Sequence, residues 1–109
     1  MRQIEFEVPE RCNLARAESL IESVCAAHGL ALAMKGSLAA YPSSIHWHYK
    51  QPKQKGTLEL TLLRADRRVW AQVHTNRDAP WIEASLSRIR KEIERRLMDG
   101  AEGASRRLQ

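Results

Sequence analysis

Two histidines flank a tryptophan in His46-Trp47-His48, and on an extended strand residues two apart project to the same side. Such a pair begins a metal site when a third ligand stands nearby. Alternation in the apolar segments that follow tests this. Pairing that keeps Trp47, Leu60 and Ala71 in line sets His48 opposite Glu59 and Gln72, and His46 opposite Thr61 and Trp70. The same register puts Lys50 opposite Thr57 and His74. His74 then falls two strands from His48, roughly 10 Å away, too far for shared ligation through bonds of about 2 Å. His46, His48 and Glu59 remain as a surface trio whose Cβ spacing suits a loosely held cation. The expectation is a polar sheet surface with a His48–Glu59 cross-strand pair, no structural metal and no cofactor.

Nucleophilic chemistry has less behind it. There is no nucleophile-elbow motif, and the five glycines are scattered rather than gathered into a phosphate-binding loop. Cys25 and His28 stand about one helical turn apart, a spacing that lets an imidazole activate a thiol. Cys25 also continues an apolar stripe, which reads as a small buried side chain. Cys12 lies near a helix start but has no base beside it. Neither cysteine has a second thiol at zinc or redox spacing. No catalytic residue is expected.

Charge is distributed unevenly. The whole chain carries +5, with residues 1–34 at −2 and residues 35–77 at +6. A basic segment attracts nucleic acid or acidic partners, and it also keeps a protein soluble. Lys50, Lys53, Lys55 and Arg77 are expected at one end of the sheet, with Arg64, Arg67 and Arg68 at the other. Between them Trp70, His46, His48 and His74 offer faces on which bases can stack, with Glu59 and Gln72 alongside.

These side chains need a scaffold, and the patterning supplies one. Gln3 to Val8 alternates as a strand and Pro9 ends it. Asn13 caps a helix whose stripe is Leu14, Ala17, Ile21, Val24 and Cys25, and Gly29 stops it. Leu30 to Met34 reads as a strand that bulges at Gly36, and Pro42-Ser43-Ser44 as a turn. Three alternating strands follow, Ile45–Lys50, Thr57–Leu63 and Val69–His74. Asp78 and Pro80 open a last helix with the stripe Ile82, Leu86, Ile89, Ile93 and Leu97. Gly100 is expected to end it, leaving residues 1–100 as one domain and 101–109 as a flexible tail.

The expected fold class is thus α+β, in the order β-α-β-β-β-β-α, with one curved antiparallel sheet and both helices on one face. This order resembles that of the TATA-binding-protein-like or helix-grip arrangement. The resemblance is of element order alone and implies no activity. It leaves the second sheet face open, with Trp70 marking the functional surface unless residues 35–44 fold over it. At 109 residues a single core is sufficient. No apolar run approaches the roughly 18 residues that span a bilayer, and the N-terminus has no export-signal pattern. The composite expectation is a cytoplasmic, non-enzymatic binding or adaptor domain, with a protein partner or a second copy favoured over nucleic acid and no membrane partner. A sheet–helix cavity lined by Trp47, Tyr49, Trp81 and Met34 is a further option.

Overall fold

The computed structural model describes residues 1–107. It is an α+β fold in which five strands form one antiparallel sheet. In chain order these are β1 (Arg2–Glu5), β2 (Ala31–Leu38), β3 (Tyr41–Lys50), β4 (Leu58–Leu63) and β5 (Arg68–Val73). Helix α1 (Ala17–Ala27) lies between β1 and β2, and α2 (Pro80–Arg107) follows β5. The spatial order is β1-β5-β4-β3-β2, so β1 and β2 are the edges.

Period-2 alternation decides the register. His46 pairs with Thr61, His48 with Glu59, Glu59 with Gln72 and Thr61 with Trp70, the pairing expected from the sequence. Trp47, Leu60 and Ala71, each 0% exposed, join Ile21 and Val24 of α1 and Ile82, Ile89 and Ile93 of α2 in one buried cluster. Both helices therefore cover the same sheet face. The Trp47 indole N–H also donates to Glu22 Oε2 at 2.8 Å, which ties that face to α1.

Local signals set the helix ends. Asn13 accepts the Ala15 amide at 2.9 Å, opening a 3-10 turn that leads into α1. Gly29 takes a left-handed φ of 77° and lets the Leu30 amide reach Cys25 O at 3.0 Å. Pro80 occupies the first position of α2, where a missing N–H costs nothing. Gly56, with φ 102°, is needed because a Cβ there would meet Ala79 Cβ at 2.8 Å and Arg77 O at 3.0 Å.

Three expectations about elements are corrected. Helix α2 runs through Gly100 to Arg107 rather than ending at Gly100, and residues 108–109 lie outside the described part. Gly100 lies within the helix, where a glycine costs about 1 kcal/mol without breaking it. The β2–β3 turn is Ala39-Ala40, while Pro42, Ser43 and Ser44 belong to β3. Those residues sit where the ladder jumps from Gly36↔His46 to Leu38↔Tyr41. The proline thereby avoids a regular pairing position, and Ser44 Oγ accepts the Leu38 amide at 3.0 Å.

The third correction concerns the second sheet face, which is not open at its centre. Trp70 is 2% exposed and Leu63 3%, so the ring is not open but covered from residues 35–44, the alternative the sequence offered. β3 continues past its last pairing with β4, Ile45↔Leu62. This overhang brings Tyr41 edge-on to Trp70, with ring centroids 5.9 Å apart. Arg68 lies over the same indole at 4.3 Å while it pairs with Glu5. The overhang and a cation thus cover the tryptophan.

Candidate functional site

Beyond the covered tryptophan, the same face gathers a polar cluster. Glu59 stands on β4 with His46 and His48 on β3, while His74 and Arg77 follow the end of β5. Glu59 Oε1 lies 3.0 Å from His46 Nε2 and 3.5 Å from His48 Nε2. The two Nε2 atoms are 3.1 Å apart. Glu59 Oε2 turns the other way, to His74 Nε2 at 3.1 Å and Arg77 Nη1 at 3.9 Å. His46 Nδ1 pairs with Thr61 Oγ1 at 2.8 Å, which fixes the ring plane.

His46 and Glu59 are buried, at 5% and 7% side-chain exposure, whereas His48 retains 19% and His74 40%. Burial lowers the His48 pKa below its ordinary value, partly offset by the attraction of Glu59 and reinforced by His46, Arg77 and His74. A surface cavity of 330 Å3 bordered by His48, Glu59, His74, Asn76 and Arg77 gives solvent access. It adjoins a 370 Å3 cleft that reaches Ala33, Lys50 and Thr57. His46, His48 and Glu59 each bring one ligand-type atom within 4.8 Å of the others.

The structure thus brings together His46, His48, Glu59 and His74 from the expected face. His74 does not reach the His46–His48 side of the carboxylate but shares it through the second oxygen. Gln72 stands apart, donating to Gln3 Oε1 at 3.2 Å, and Trp70 is sealed beneath Tyr41. Thr61 is the residue that sequence reasoning passed over, although its register opposite His46 was the signal for it. Asn76 at the cavity wall carried no such signal.

The basic residues proposed for nucleic acid fall at the two ends of the sheet expected of them, but most are engaged by groups of the chain itself. Arg64 donates to Leu14 O at 2.9 Å, and Arg67 to Pro9 O and Cys12 O at 2.8 Å each. These bonds hold the segment before α1 against the β4–β5 turn, and they secure Arg67 in a left-handed φ of 54°. Arg68 is engaged by Glu5 and Trp70, and Lys50 Nζ donates to Gly56 O at 3.2 Å. Lys53 and Lys55 are exposed. The arginine end of the sheet is a set of structural clamps, and Arg77 belongs with the Glu59 cluster.

Cys25 is fully buried, and burial pushes its thiol up to about 12, far from an activated nucleophile. His28 faces Glu92 at 3.4 Å. The four residues considered as a cavity lining do not share one. Trp47 and Tyr49 fill the core, Trp81 donates to Lys55 O at 2.7 Å, and Met34 is 44% exposed on β2. No helix among the described residues is long and apolar enough to cross a membrane. Comparison with protein-family models, with curated proteins and with solved structures finds no match to this chain.

Proposed function

We propose that this chain is a non-enzymatic binding or adaptor domain that associates with a second copy of itself through the free edge of β2. One observation carries the reading. β2 is an eight-residue edge strand exposed along Ala31–Ser37, with Leu32 at 50% and Met34 at 44%. An edge of this length offers a row of backbone donors and acceptors to another strand, and natural sheets usually blunt such edges with charge. Here the only charge is Lys35, and Glu18 and Glu22 each hold its Nζ at 2.6 Å. A neutral edge meets its own copy across a twofold axis without like-charge repulsion, which favours self-pairing over a strongly charged partner.

The finer fold reading, a helix-grip-like element order, is part of this proposal, as is a cytoplasmic location, which suits two cysteines that are both free thiols. Nucleic-acid binding through residues 35–77 gains no support from the arginine contacts. Sedimentation tests the edge. Wild type is expected to sediment as a dimer, and the double substitution Leu32→Lys with Met34→Lys as a monomer with its melting temperature within a few degrees of wild type. A wild type that stays monomeric, or a dimer that the substitutions leave intact, contradicts the reading.

A further inference from the structure

We propose that His46, His48 and Glu59 form a binding site for one divalent first-row transition cation, with its remaining coordination positions open to the cavity beside His74. This is independent of edge association and reverses the expectation drawn from strand spacing. Cβ positions two residues apart suggested a loose trio, but the side chains turn inward and close it.

His46 Nε2, His48 Nε2 and Glu59 Oε1 form a triangle with sides of 3.0, 3.1 and 3.5 Å. An ion bound to nitrogen and oxygen at about 2.0–2.1 Å holds neighbouring ligand atoms about 3.0 Å apart in an octahedron and about 3.4 Å apart in a tetrahedron. The triangle has the dimensions of one face of such a polyhedron. An ion sits just off its plane, so the ligand atoms need little movement to take it.

Three atoms in mutual contact need three hydrogens between them for every contact to be a hydrogen bond. Two Nε2 atoms supply at most two, and a carboxylate supplies none. Unless one N–H is shared between two acceptors, one contact therefore sets like against like beside a buried carboxylate. A cation facing three lone pairs removes that conflict.

The surroundings agree with this assignment. Thr61 Oγ1, 2.8 Å from His46 Nδ1, is the outer partner that a ligating imidazole requires to fix its orientation. His74 and Arg77 contact Oε2, leaving Oε1 to the ion. Two imidazoles and one carboxylate select zinc, cobalt or nickel over magnesium or calcium, which require oxygen ligands. Three protein ligands leave positions open, and the cavity wall of His48, His74, Asn76 and Arg77 faces them.

Equilibrium dialysis of the whole chain, stripped with EDTA and then offered Zn2+ or Co2+, tests the proposal. Wild type is expected to take up one equivalent, and His28→Ala, which removes the histidine outside the cluster, is expected to do the same. His48→Ala and Glu59→Gln are expected to lower the affinity by about tenfold or more. Because Glu59 is buried, its variant risks misfolding. The partly exposed His48 therefore provides the deciding variant, with circular dichroism showing that it is folded. On adding Zn2+ to wild type, the 15N shifts of His46 and His48 Nε2 should move while those of His28 stay. Failure of wild type to bind either ion stoichiometrically, or wild-type affinity in His48→Ala, overturns the site.

Discussion

Replacing Trp70 by Ala is expected to destabilise the fold by about 3 kcal/mol, measured by urea denaturation. The ring is 2% exposed, packed by Tyr41 on its edge and Arg68 on its face, so its removal leaves a cavity that the overhanging strand cannot readily fill. The loss falls at the low end of the roughly 3–5 kcal/mol typical of a buried Trp. The reason is that the indole Nε1 is buried without a hydrogen-bond partner among the described residues, and truncation also removes an unsatisfied donor that costs about 1–3 kcal/mol. Trp70→Phe should accordingly cost much less than Trp70→Ala, since it keeps most of the packing and discards the orphaned N–H. If Trp70→Ala melted like wild type, Tyr41 and Arg68 would not be covering the ring in solution.

Leu60→Ala should cost about 2–5 kcal/mol, because Leu60 is 0% exposed at the centre of the helix-covered face. Its neighbour Thr61 is nearly as buried, at 1%, yet Thr61→Ala should cost only about 1–2 kcal/mol, chiefly from the His46 ring nitrogen left unpaired. From sequence alone, with Thr61 on an open face, the second figure would fall well under 1 kcal/mol. Urea midpoints for the two variants, with unchanged slopes, measure both. Equal losses would mean that the two faces are not divided as described.

The sequence showed clearly what depends on period. Alternation from Ile45 to Tyr49 and from Leu58 to Leu62 placed Trp47 and Leu60 inside and put His48 opposite Glu59, because a slip of one residue would bury Glu59 among the helices. The stripe Ile82, Leu86, Ile89, Ile93 and Leu97 was legible for the same reason, and every member is buried.

What escaped depends on three-dimensional bending and on rotamers. The sequence offered residues 35–44 as a cover for Trp70, but nothing in its spacing says that the cover is an overhang of β3 carrying Tyr41. The irregular pairing between Gly36 and Leu38 lies within that overhang. The clamps from Arg64 and Arg67 to residues 9–15 span about fifty positions of sequence, beyond any local pattern. Strand register could bring His46, His48 and Glu59 to one neighbourhood, but only side-chain torsions decide whether their ligand atoms lie 3 Å apart or point away into water.

Amide hydrogen exchange on β2, at micromolar and at several hundred micromolar protein, tests edge association most directly. The account predicts that exchange within Ala31–Leu38 slows as concentration rises, while β1, the opposite edge, exchanges at the same rate throughout. Exchange on β2 that is independent of concentration would contradict it.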